Sequence, residues 1–170
     1  DGIGLPDLAS FAATRQFDLP LPGNIDRPPP ALTSNLHEAY LAADYRIGEA
    51  ASQLRIGHPC PQLDPEFARH GARRALLITA CNPFSIPLAT AANALRQQFL
   101  QSEFDTNGIT TLAAAGHDPE GRWPAEPSLL ALGTLPDYDD ALLLRHQQHA
   151  AVVIEPGQPA LLLWHPAHRA

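Results

Sequence analysis

The densest chemistry in this chain lies in His117-Asp118-Pro119-Glu120-Gly121-Arg122-Trp123-Pro124-Ala125-Glu126-Pro127-Ser128. His117 has the chemistry of a base, Asp118 and Glu126 of acids or metal ligands, Arg122 of an anion clamp and Trp123 of a stacking wall. A structural account of the same residues also holds: Asp118-Pro119-Glu120-Gly121 is a turn, Trp123 closes the edge of a core, and Glu126 caps a segment or pairs with an arginine. A second cluster, Asn82-Pro83-Phe84-Ser85, can present an amide and a hydroxyl to a ligand or satisfy its own backbone. Cys81 precedes it without any local signature of a base, which favours an inert buried thiol. A metal site could be assembled from His117, Asp118, His149, His165 and His168. Their spacing is weak, and His146-x-x-His149 lacks the glutamate of the zincin pattern. No metal and no cofactor are called for.

These clusters need elements to hold them. Ala75-Leu76-Leu77-Ile78-Thr79-Ala80 is uncharged and reads as a strand buried on both faces, stopped by Asn82-Pro83. Side chains just past the end of such a strand stand where open sheets bind ligands. Upstream, Asn35-x-x-Glu38 caps a short helix, and Tyr45, Ile47 and Gln53–Ile56 alternate as a hairpin turning near Gly48. Asp64 as N-cap, Pro65, Glu66 and Gly71 frame a two-turn helix. Leu88, Ala92, Leu95 and Phe99 recur at helical spacing opposite Arg96, Gln97 and Gln101, with Thr90 near the start and Asn107-Gly108 as the stop. Ile109–Ala114 and Leu129–Leu132 read as strands on either side of a polar loop, 116–127. Asp137 caps a helix running to about His149, where the dipole accounts for the histidine. Ala151–Ile154, the turn Glu155-Pro156-Gly157 and Ala160–Trp164 form a closing hairpin.

The expected fold is therefore α+β: a mixed sheet of about six strands with three helices packed on it, in the order β-β-α-β-α-β-β-α-β-β. Residues 1–33 stand apart. Leu19-Pro20-Leu21-Pro22-Gly23 and Arg27-Pro28-Pro29-Pro30 lack periodicity and predict an extended arm, loose or laid along a partner or the domain, before a single domain at 34–170.

Composition excludes several chemistries. The 170 residues contain 11 basic residues, all arginine, against 18 acidic ones, for a net charge of −7. Without lysine there is no Schiff-base, P-loop or lysine-base chemistry, and the net charge disfavours nucleic acid. No apolar run is long enough for a membrane span. Two cysteines, Cys60 and Cys81, do not make a disulfide framework, which points to a cytoplasmic setting. Gly-x-Ser-x-Gly is absent, and Gly2-x-Gly4 neither follows a strand nor opens a helix, so neither an elbow hydrolase nor a dinucleotide site is indicated.

Leu77-Ile78-Thr79-Ala80-x-Asn82-Pro83-x-Ser85, Ala92-Asn93 with Leu95, Gly121-x-Trp123-Pro124-x-Glu126-Pro127-Ser128 and His146-Gln147-Gln148-His149-Ala150 together resemble domain-of-unknown-function family 3293 over about residues 36–164. The resemblance implies a small bacterial domain and no assigned activity; Cys81 stands where an aromatic is expected, which argues against a shared cysteine nucleophile. The leading expectation is a non-catalytic binding or accessory-subunit module. Asn82, Ser85, Arg122, Trp123 and Glu126 would form its contact face, and the arm would be available to a protein partner. The alternative is a small enzyme using Glu126 or His117 as acid and base on a small molecule.

Overall fold

Short apolar runs separated by turn residues give seven strands in this computed structural model, which describes residues 21–169. β1 (Asp44–Ile47) and β2 (Ser52–Leu54) form the expected hairpin, Gly48 taking the left-handed turn position at φ 71°. β3 (Ala75–Ile78), β4 (Thr111–His117), β5 (Glu126–Leu132), β6 (Ala150–Ile154) and β7 (Leu161–Trp164) complete a single sheet in the order β2-β1-β4-β5-β3-β6-β7. The fold is α+β, and from β1 onward its chain order is the expected one, with a further helix in front. The sheet, however, has seven strands rather than six, and it is not mixed: all six ladders are antiparallel. The sheet curls. Ile56 bridges Ala160 across its two edges, Gly57 N–H donating to Ala160 O at 2.8 Å and Ala160 N–H to His58 O at 3.0 Å.

Curling creates two apolar layers. Within the curl, Ile47, Leu54, Leu63, Phe67, Leu77, Leu130, Leu132, Val152 and Ile154 pack together. On the outer face, Leu76, Ile78, Leu129 and Ala131 meet Leu100 and Phe104 of α3 (Thr90–Thr106) and Leu142 and Leu143 of α4 (Pro136–Arg145). β3 lies between the two layers, so all four of its residues are buried, as its uninterrupted apolar run requires.

Four helices are described rather than three. α1 (Ser34–Ala42) begins at Thr33, whose Oγ1 accepts from Leu36 N–H at 3.1 Å; the cap is therefore Thr33, not Asn35, and none of the helix's residues is buried. In α2 (Asp64–His70), Asp64 occupies the first turn instead of the cap, and Gly71 ends the helix at φ 61°. The inward face of α3 differs from expectation: Leu95 is 42% exposed, whereas Arg96 is 0% exposed. Arg96 can be buried because its guanidinium is satisfied by neutral oxygens, Nε donating to Ala80 O, Nη2 to His146 O, and Nη1 to Pro22 O and Asn24 Oδ1, all at 2.6–2.8 Å. α4 ends at Arg145 rather than His149, because Gln147 turns left-handed at φ 49°.

Part of the proline-rich stretch lies on the domain. Ile25 N–H donates to Gln147 Oε1 and Gln147 Nε2 to Ile25 O, while Asn24 Nδ2 donates to Arg145 O. Leu21 is buried. Residues 1–20 of the expected arm lie outside the described residues. Among the described residues no helix is long and apolar enough to cross a membrane.

Candidate functional site

Past the end of β3 the backbone does something expensive. Asn82, Phe84 and Ser85 lie at φ 49°, 47° and 61°, three non-glycine residues in the left-handed region within four positions. Asparagine tolerates that conformation; for a bulky residue such as phenylalanine it costs on the order of 1–3 kcal/mol. The surroundings impose it. Phe84 N–H donates to Gln147 O at 2.6 Å, and its carbonyl lies 3.2 Å from His149 Nε2. A carbonyl only accepts, so Nε2 carries the proton, and Nδ1, 2.8 Å from His168 Nε2, is the acceptor of a second bond. Burial pushes His149 down to about 4, consistent with a neutral ring. The Phe84 ring fills the space between His149 and His165, at centroid distances of 5.2 and 5.5 Å.

On the other side of this turn, Asn82 is fixed at every polar atom. Its backbone N–H donates to Asn93 Oδ1 at 2.8 Å, and its Oδ1 accepts from Asn93 Nδ2 at 2.8 Å and from Leu88 N–H at 3.0 Å. These donors decide the orientation of the amide, and Nδ2 is left to face Glu126 Oε2 at 3.1 Å. Glu126 is the first residue of β5 and not a loop residue, so the sheet sets its position. Burial pushes its carboxyl up to about 7, against the lowering effect of the Asn82 bond. Among the described residues, no cation forms an ion pair with it.

Strand register brings the tyrosines in. Tyr45 stands opposite Gly116, and Gly116 opposite Glu126, so all three belong to one row across β1, β4 and β5 on the face that continues into the inner core. Gly116 has no side chain to separate its neighbours. A Cβ there would lie 3.3 Å from Tyr45 Cε1 and 3.9 Å from Trp123 Cη2, so both rings close over it. From α1, Tyr40 hydrogen-bonds Ser85, feels the charge of Glu126, and packs edge-on against Trp164 at 5.7 Å. Burial raises both phenols, Tyr40 to about 12, so neither is a ready base. The site is thus one mouth of the curled sheet, with a half-buried carboxyl, one amide, the Ser85 hydroxyl, two phenols and the Trp123 ring.

Among the five residues singled out by the sequence, Asn82, Ser85, Trp123 and Glu126 are gathered here. Arg122 is engaged elsewhere: its Nε meets Asp118 at 2.9 Å and Glu120 at 3.3 Å, and Asp118 also accepts from the backbone N–H groups of Glu120 and Arg122. That arrangement holds the Asp118 carboxyl below the ordinary range and closes the loop on itself. His117, next to Gly116 on β4, leaves by the opposite face from Glu126. Cys81 is buried and its thiol is pushed up by burial. His149, His165 and His168 are close together, but among the described residues no group of three or more histidine, cysteine or acidic side chains is arranged to hold a metal ion. Tyr40, Tyr45 and Gly116 had no expected role; the alternation of β1 put Tyr45 on the inner face, and only the register discloses what stands opposite.

Residues 78–151 match the model of a family described as protein of unknown function (DUF3293), and the family resemblance of the sequence holds over that stretch. No curated protein and no solved structure matches the chain. The matched stretch contains Asn82, Ser85, Asn93, Gly116, Trp123 and Glu126, whereas Tyr40 and Tyr45 precede it.

Proposed function

With the DUF3293 stretch as premise, we propose that this chain is a binding module for a small polar molecule, seated at the Glu126 mouth of the sheet. The observation that carries this reading is the Asn82–Glu126 contact, presented by a turn that keeps three non-glycine residues left-handed. Backbone strain of that kind persists only where the surrounding structure enforces it, and it concentrates at ligand sites. Asn82 holds one carboxyl oxygen of Glu126, and Ser85 and Tyr40 supply hydroxyls beside it. The other oxygen exchanges a hydrogen bond or a proton with the ligand.

A second reading is a small enzyme using the same atoms. It is favoured by the position of Glu126 at about 7, where a carboxyl serves as both acid and base near neutrality. In both readings the module works in a cytoplasmic, bacterial setting without nucleic acid, in keeping with two buried free thiols and a net charge of −7. Residues 22–25 are bonded to the chain's own Arg96 and Gln147, which favours a ligand site within one chain over an accessory-subunit role for this part of the arm.

The test is a metabolite library screened by thermal shift with the wild type, Glu126→Gln and Asn82→Ala. Ligands that stabilise the wild type are expected to lose that effect in both variants. Ligands indifferent to both substitutions would overturn the site, and turnover of a ligand by the wild type but not by Glu126→Gln would select the enzyme.

A further inference from the structure

The Glu126 mouth has three properties that bear on what enters it. First, its carboxyl is half-buried and has no cation paired with it among the described residues, while Arg46, Arg96 and Arg122 are committed elsewhere: Arg46 to Asp44 at 2.7 Å, Arg96 to four neutral oxygens, and Arg122 to Asp118 and Glu120. Second, its walls are aromatic. Tyr45 and Trp123 close over Gly116, directly opposite Glu126, and Tyr40 reaches in from α1. Third, among the described residues Asn82 Nδ2 occupies Oε2 alone, which leaves one carboxyl oxygen for a ligand. A carboxylate with aromatic rings beside it favours a cation that is weakly hydrated and large enough to touch several rings, because ring π faces carry negative potential and the carboxylate supplies the full charge.

We propose that the ligand is an organic ammonium ion, seated among Tyr40, Tyr45 and Trp123 with Glu126 as its counter-ion. This rests on the reading of the mouth as a small-molecule site and adds the chemical class of its occupant. An inorganic cation is disfavoured, since the site offers one free carboxyl oxygen and no set of hard oxygen ligands. An anion is disfavoured by the same carboxyl. The groups facing Glu126 are Tyr40 from α1, Tyr45 from β1, and Cys81 and Asn82 beyond β3. Burial keeps both phenols and the thiol neutral at pH 7, so Glu126 alone changes charge there. Ammonium binding is therefore coupled to loss of the Glu126 proton. Affinity rises with pH up to about 7 and is flat above it.

The experiment titrates the full chain with choline and with 3,3-dimethyl-1-butanol, a neutral molecule of nearly the same shape, following the Trp123 indole by NMR at pH 8 and pH 5.5. Choline is expected to bind at least about tenfold more tightly than the alcohol at pH 8, to lose most of that advantage at pH 5.5, and to lose it at both pH values in Glu126→Gln. Butylammonium, run beside choline, distinguishes a site that takes any ammonium from one that needs the quaternary head. Tyr45→Leu is expected to weaken choline more than the alcohol; should it fail to fold, Tyr40→Leu gives the same reading, and an unchanged choline preference in a folded ring variant would overturn the proposal. Equal binding of choline and the alcohol, a preference that survives in Glu126→Gln, or Trp123 shifts that sodium chloride reproduces would each overturn the proposal. If both probes bind equally and still need Glu126, the small-molecule site stands and only its ammonium preference falls.

Discussion

The turn 82–85 separates two groups of titratable side chains, and burial pushes both toward neutrality. On one side Glu126 is raised to about 7; on the other His149 is lowered to about 4, with His165 and His168 lowered beside it. The difference is in how their polar atoms are used. The histidine side is spent on structure: His149 bonds Phe84 and His168, and His165 Nδ1 accepts from Ala167 N–H at 3.1 Å. On the carboxyl side, only Oε2 of Glu126 meets a hydrogen-bond donor among the described residues. One bank holds the turn in its strained shape, and the proposed site lies on the other.

Deleting the structural bank should have the largest effect. His149→Ala removes the donor to Phe84 O and the partner of His168 at a site where His149 is only 2% exposed, so we expect a loss of about 3 kcal/mol in denaturant unfolding. Loss below 1 kcal/mol would erase the distinction between the two banks.

The carboxyl bank should respond in the opposite direction and only at higher pH. Glu126 has a folded pKa of about 7, above its ordinary 4.5, so the folded state holds the proton more tightly. Stability is highest below pH 4.5, falls as the pH rises from 4.5 through 7, and is flat above that. Glu126→Gln keeps an acceptor for Asn82 Nδ2 and removes the charge. It should stabilise the protein by about 2 kcal/mol at pH 8 and leave stability unchanged at pH 4. The histidines run the other way: lowered folded pKa values favour the neutral rings, so their contribution is present above pH 6.5 and is lost as the pH falls toward 4. A wild-type stability profile compared with Glu126→Gln and His149→Ala separates the two slopes.

The smallest expected effect comes from Gly116→Ala. Its Cβ meets the Tyr45 ring at 3.3 Å, so the ring must give by a few tenths of an ångström, at about 1 kcal/mol. Stability should change little while ligand affinity falls, because the displaced ring is part of the site and not of the clamp. A drop in stability as large as that of His149→Ala would place Tyr45 with the structural bank.

The turn itself was legible in the sequence because an uncharged run ending at Asn82-Pro83 has few other readings, and the polar loop before Glu126 stood out by composition. What was not legible depended on partners distant in the chain. The inward face of α3 was misread because hydrophobicity counts Arg96 as a surface residue, while four protein oxygens, none of them charged, make it an interior one. Antiparallel pairing of β3 with both β5 and β6 was hidden since helices intervene between them in the chain, a spacing that parallel crossovers also show. Tyr45 joined the site only through Gly116, a register that no local pattern encodes.

The bonds made by Asn24 and Ile25 carry a consequence in time. Their partners Arg145 and Gln147 lie 121 and 122 residues further along the chain. At a synthesis rate of about 5–20 residues per second, these early-made residues wait on the order of ten seconds for the carbonyl and amide they will bind. Arg96 and Gln147, which grip them, also grip Ala80 and Phe84. The turn that presents Asn82 therefore takes its final shape only once residue 147 has been made, long after the turn's own residues.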